Sequence, residues 1–231
     1  MLDLRSKEWY NGFDFSIFPN GTSAASVLLQ TLNKNNNLHA LLLSPTYFTY
    51  IDVLKDMNCE IYYHSLISNE GIYIFNINDI SKIVTDSRIN IIILTYPLFG
   101  SGVSISLQHL NDLTSFCKAN NVFLLIDYIY GGIDWNDCSN IFPYQLMESA
   151  NNTTAVLLSL SKNLFLNGAK TCLLFTKGEL IEKVEKQSVY VLGSMAQSQI
   201  ASLRMLYDIK FRSSVLTILN NIKLHVQNSY Q

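Results

Sequence analysis

The chain has 231 residues, of which 48% are hydrophobic and 15% charged, with a mean hydropathy of +0.17. That composition excludes a disordered tail, a collagen-like fibre and a coiled coil, and the length favours one domain able to bury a sheet on both faces. Lys and Arg number 16 against 18 Asp and Glu, a net charge of -2 with no basic run, so the electrostatic footprint of a nucleic-acid groove is missing.

Cys59, Cys117, Cys138 and Cys172 form no C-x-x-C pair, and His39, His64, His109 and His225 show no metal-ligand spacing. The longest apolar stretches, residues 91–94 and 122–126, fall far short of the roughly 20 residues of a membrane helix. The first residues lack the apolar core of a signal peptide, so a soluble, cytoplasmic protein with reduced thiols is expected. In that setting Asn20-Gly21-Thr22 and Asn151-Asn152-Thr153 are chance matches to the glycosylation pattern.

In chain order, Gly21-Thr22-Ser23-Ala24-Ala25 opens a first helix. Residues 39–43 read as a buried strand, 49–57 as a helix, 60–63 as a strand and 77–85 as a helix. Residues 91–94 form a strand running into a turn at Gly100-Ser101-Gly102, 107–120 a helix, and 122–127 a strand ending in Asp127. Two more strands follow at 155–160 and 171–176, then helices from 179, at 194–208 and at 211–228, the last with Val215, Ile218, Ile222 and Val226 near helical spacing. Apolar strands alternating with helices predict a three-layer α/β/α sandwich around a mostly parallel mixed sheet. The expected organisation is a short N-terminal segment (1–20), a large domain (21–188) and C-terminal helices (189–231).

Open α/β sheets place ligands beyond the C-terminal ends of their strands. The polar residues at those ends are Asp127, followed by Tyr128-Ile129-Tyr130-Gly131-Gly132; Ser159-Leu160-Ser161-Lys162; the Gly21-Thr22-Ser23 helix start; and Pro45-Thr46-Tyr47. Singly, each has an ordinary reading. An Asp at a strand end forms turns, a lone Lys is a solvated charge, Gly-Thr-Ser is an N-cap, and Tyr47 is a packing residue.

In this order and spacing they resemble the large domain of the fold-type I pyridoxal-phosphate enzymes, the aminotransferase class I/II superfamily. Ser159-Leu160-Ser161-Lys162, with Lys170 eight positions beyond Lys162, is similar to the family's S-x-S-K and its following basic residue. Leu125-Ile126-Asp127-Tyr128-Ile129-Tyr130 is similar to l-x-D-E-x-Y, and residues 96–102 sit where the family has N-P-x-N-P-T-G.

The resemblance implies pyridoxal 5'-phosphate as cofactor, with Lys162 as catalytic Schiff-base lysine and proton shuttle, a role that asks for a desolvated amine. It implies that Asp127 pairs with the pyridine nitrogen, Tyr130 hydrogen-bonds the phenolic oxygen and Tyr47 stacks on the ring. Gly21, Thr22, Ser23, Ser159, Ser161 and Lys170 would take the phosphate. Lys170 stands in place of an arginine, supplying charge without the bidentate fork. Phe99 replaces an asparagine that contacts the phenolic oxygen, Tyr128 an acid, and Cys172 a glycine. The expectation is an aminotransferase-like enzyme acting on an amino acid or amine, without the usual small domain or its carboxylate clamp, and forming a homodimer. The alternative, favoured by Phe99 and Lys170, is a catalytically impaired or cofactor-free remnant acting as a partner protein.

Overall fold

A computed structural model describes residues 14–34, 37–69, 72–101, 105–131, 153–192 and 197–229. Gly102, Gly132, Cys138, Asn151 and Asn152, named above, lie outside them. Seven strands form the main sheet: β1 (Asp14–Phe18), β2 (His39–Ser44), β3 (Glu60–Ser65), β6 (Ile91–Thr95), β7 (Phe123–Asp127), β8 (Thr154–Ser159) and β9 (Cys172–Thr176). Their order is β1-β9-β8-β7-β6-β2-β3. Strands β3, β2, β6, β7 and β8 run parallel, and β9 is antiparallel to both of its neighbours. This is the mixed, mostly parallel sheet expected.

The helices are α1 (Gly21–Leu32), α2 (Thr49–Asp56), α3 (Ile77–Asp86), α4 (Leu107–Ala119), the single turn α5 (Leu160–Asn163), α6 (Glu179–Leu192), α7 (Gln197–Tyr207) and α8 (Ile209–Ser229). Two elements depart from expectation. Residues 14–18, placed in the N-terminal segment, form strand β1 at the sheet edge, and β4 (Ile67–Asn69) with β5 (Ile72–Ile74) makes a small antiparallel pair. Helix α6 runs through position 188, where the large domain was expected to end.

Strand residues alternate between two cores, as a period of two demands. Leu41, Ile92, Leu124 and Val156 pack on one face with Ile80 of α3, Leu113 of α4 and Val215 of α8. Leu42, Ile93, Leu125 and Leu157 pack on the other with Leu28 of α1, Leu54 of α2 and Val184 of α6. Strands β6 to β9 are buried along their whole length, which is why they read as unbroken apolar runs. Edge strand β3 is partly exposed. Among the described residues no helix is long and apolar enough to cross a membrane, and no group of three or more His, Cys, Asp or Glu side chains could hold a metal.

Candidate active site

Parallel pairing brings the ends of adjacent strands to one edge of the sheet. Thr95, the last residue of β6, lies opposite Asp127, the last of β7. Beside β7 runs β8, which ends at Ser159. At this edge is a cavity of about 270 Å³. Every candidate named from the sequence lines it except Ser23: Gly21, Thr22, Tyr47, Asp127, Tyr130, Ser159, Ser161, Lys162 and Lys170. Phe99 and Thr95 line it too.

Asp127 is the buried charge of the site, 3% exposed. Its Oδ2 accepts from the Tyr50 hydroxyl at 2.8 Å and its Oδ1 from the Ile129 N–H at 3.1 Å. Burial pushes its carboxyl up to about 6, against the pull of these two donors. The Tyr50 phenol is held well above its ordinary value, first by burial and then by the Asp127 charge. Burial likewise pushes up the Cys172 thiol.

At the N-terminus of α1, Asn20 caps the helix. Its Oδ1 accepts from the Ser23 N–H at 2.8 Å and lies 3.1 Å from the Ser23 hydroxyl. Both polar groups of Ser23 are therefore engaged by the cap, and it does not line the cavity. Gly21 is buried, and a Cβ there would collide with the Ile129 side chain, so glycine lets the helix start approach the loop after β7.

The Tyr47 N–H donates to Thr95 Oγ1 at 3.3 Å, and its ring lies 4.8 Å from that of Phe48 and 5.2 Å from that of Phe99. Ser159 Oγ accepts from the Ser161 N–H at 3.3 Å, starting the turn that carries Lys162. Lys162 Nζ lies 5.8 Å from the centroid of the Tyr130 ring. Lys170 follows the 3₁₀ turn Asn167–Ala169 with a φ of 49°, in the left-handed region, and its Nζ is 3.5 Å from Asn167 Oδ1.

The single turn of α5 carries Lys162 to the cavity, where among the described residues it is exposed, whereas the role that the resemblance implies asks for a desolvated amine. Tyr128, by contrast, turns away from the cavity into the core, 1% exposed and stacked on Tyr96 with ring centroids 5.7 Å apart.

Tyr50 was not a sequence candidate, because a tyrosine on a buried helical face resembles any packing residue. Its signal is position: it lies one turn beyond Tyr47 and on the same side of the chain. Thr95 carried the same signal as Asp127, a polar residue closing an apolar strand.

A three-layer α/β/α fold with one reversed strand and a lysine–aspartate cavity at the strand ends defines a class of protein before any relative is considered. The family model for aminotransferase class I and II matches residues 14–229, and the chain belongs to that family. A curated relative, 1-aminocyclopropane-1-carboxylate synthase 7 of Arabidopsis thaliana, is 23% identical over 216 residues, covering 86% of this chain and 46% of that protein. Among solved structures, N-succinyldiaminopimelate aminotransferase from Mycobacterium tuberculosis superposes with a TM-score of 0.83 at 17% identity, over 97% of this chain and 59% of its own. A PLP-bound putative aminotransferase from Clostridium difficile gives 0.79 at 20% identity, over 94% and 56%. The chain thus spans about half the length of these relatives.

Proposed function

We propose that this chain binds pyridoxal 5'-phosphate and acts on an amino acid or amine as an aminotransferase-like enzyme, with Lys162 as the Schiff-base lysine. The observation that supports this reading is the convergence of Lys162, Asp127, Tyr130 and a rim of anion-binding groups on one cavity. The donor set fits the cofactor. A buried carboxylate facing a cavity is costly unless a cation meets it, and a protonated ring nitrogen is such a cation. At the rim, the backbone N–H groups at the start of the 12-residue helix α1, the Ser159 and Ser161 hydroxyls and the Lys170 ammonium suit a phosphate. Tyr47 offers an aromatic face, and Tyr130 a phenol.

When bound, the cofactor supplies an electron sink for charge that develops on a substrate carbon. In this reading Lys162 Nζ would hold the cofactor and, when free, would be the base that takes and returns a proton at the substrate carbon. Asp127 would meet the ring nitrogen and favour its protonated form. Relatives named as an aminotransferase and as a synthase leave transamination and other reactions at the substrate carbon equally open. A cytoplasmic homodimer completes the proposal, since Lys162 and Tyr130 are exposed in one copy and a second copy over the cavity would remove them from water.

Purified protein mixed with pyridoxal 5'-phosphate should turn yellow, with an absorbance that Lys162→Ala abolishes. A protein that stays colourless would sink the cofactor claim, and a monomer by light scattering would sink the dimer. Spectral change on adding amino acids would separate a catalyst from a passive binder. The second reading, a cofactor-free or impaired partner protein, is favoured by Phe99, whose ring lies in the cavity beside Tyr47 where the family pattern has an asparagine.

A further inference from the structure

Tyr50 reaches Asp127 from a distant part of the chain, 77 residues away, and both side chains are buried. Among the described residues each carboxylate oxygen of Asp127 has one protein donor, Tyr50 for Oδ2 and the Ile129 N–H for Oδ1. The Ile129 N–H belongs to the turn that Asp127 itself begins, so it holds the carboxylate only locally. Tyr50 ties it to a second element, α2, and with Ala25, Val53 and Ile129 lines a small apolar pocket that shares Gly21, Tyr47 and Asp127 with the cavity. Because burial and the neighbouring charge both disfavour ionisation of the phenol, the proton stays on Tyr50 and the direction of donation is fixed.

We propose that Tyr50 is a positioning residue: its hydroxyl keeps the Asp127 carboxylate a charged acceptor turned into the cavity. The role of that acceptor, meeting the ring nitrogen of pyridoxal 5'-phosphate, rests on the function proposed above. The other titratable groups facing this carboxylate are the Cys172 thiol on β9 and, around the cavity, Lys162, Lys170, Tyr47 and Tyr130. Among the described residues, the hydrogen bonds to the carboxylate come from Tyr50 and Ile129.

The test reads Asp127 directly, in the full chain without cofactor. Tyr50→Phe keeps the ring and removes the donor, so the Asp127 carboxyl, followed by carbon-13 NMR, should titrate about one to two pH units higher than in the parent. An unchanged midpoint overturns the proposal. If Tyr50→Phe does not fold, a fluorinated tyrosine at position 50, a stronger donor of nearly the same shape, should move the midpoint down; no movement overturns the proposal equally. For the loaded protein, Tyr50→Phe should weaken pyridoxal 5'-phosphate about tenfold, but change affinity less than about twofold in the Asp127→Asn background. Equal weakening in both backgrounds would mean that Tyr50 acts only through packing. If the parent takes up no cofactor while the midpoint still moves, the proposed function fails and the Tyr50–Asp127 coupling stands.

Discussion

Lys162 Nζ lies 5.8 Å from the centroid of the Tyr130 ring, and both side chains are exposed on the rim of the cavity. The ammonium faces an aromatic ring rather than a carboxylate, so nothing in this contact neutralises its charge or blocks its approach to a ligand. Asp127, the one buried carboxylate among the cavity-lining residues, has its two oxygens engaged by Tyr50 and Ile129. Cation and anion thus sit at separate places on the cavity wall, each available to a different end of a ligand.

That separation gives the first prediction. Lys162→Ala removes an exposed side chain whose contact among the described residues is the Tyr130 ring, so the thermal midpoint of the ligand-free protein should stay within a few degrees of the parent. Cofactor-derived absorbance should vanish entirely. Differential scanning calorimetry and a visible spectrum of the same sample check both halves.

Asp127 predicts a pH dependence of stability. Its carboxyl sits at about 6 in the folded protein against 3.8 ordinarily, so the folded state binds this proton more tightly than the unfolded chain does. Stability from this group is therefore full below about pH 4 and is lost as pH rises through about 6, a change on the order of 3 kcal/mol. Asp127→Asn should accordingly stabilise the cofactor-free protein at pH 7 by about 1–3 kcal/mol, with the gain shrinking toward pH 4. It should also abolish tight cofactor binding. Urea unfolding at pH 4 and pH 7 tests it: an equal effect at the two values would refute the linkage.

The balance of what the sequence discloses follows from how local each signal is. Strands β6, β7 and β8 are legible because they are buried on both faces and so carry unbroken runs such as Ile91-Ile92-Ile93-Leu94. Strand β1 is not, because Phe15, Ser16 and Ile17 gain their meaning only from pairing with β9, far along the chain. The same holds in the site. Asp127 and Lys162 announce themselves by closing or following a strand, whereas Tyr50 gains its meaning only from a hydrogen bond to a residue 77 positions away. The exposure of Lys162 is a property of the assembled surface, and no local pattern encodes it.

Lys170 carries a third prediction. Its ammonium offers one charge, and Lys170→Arg would add a planar fork able to give two parallel hydrogen bonds to a phosphate. The substitution should tighten pyridoxal 5'-phosphate several-fold while leaving binding of pyridoxal, which lacks the phosphate, unchanged. Lys170→Met should do the reverse. Titration calorimetry with the two ligands separates a phosphate contact from a general electrostatic one.

Phe99 predicts a spectral change. Its ring is edge-on to Tyr47 in the cavity wall and cannot donate a hydrogen bond. Phe99→Asn places an amide donor there, which favours the ionised form of an oxygen on a ligand held in the cavity. The pH midpoint of the cofactor-derived absorbance should fall by about one unit, since a hydrogen bond to a charged group is worth at least that much. An unmoved midpoint would show that position 99 does not reach the cofactor.

Gly21 tests the seam between α1 and the loop after β7. A Cβ at position 21 would overlap the end of the Ile129 side chain. Ile129 also supplies the backbone N–H that Asp127 Oδ1 accepts. Gly21→Ala should therefore destabilise the protein by about 1–3 kcal/mol, even though alanine favours a helix more than glycine does. The double variant Gly21→Ala with Ile129→Val, which trims the colliding methyl, should recover most of that loss. Chemical denaturation of the four proteins in the cycle measures the coupling directly; additive losses would show that the two residues do not meet.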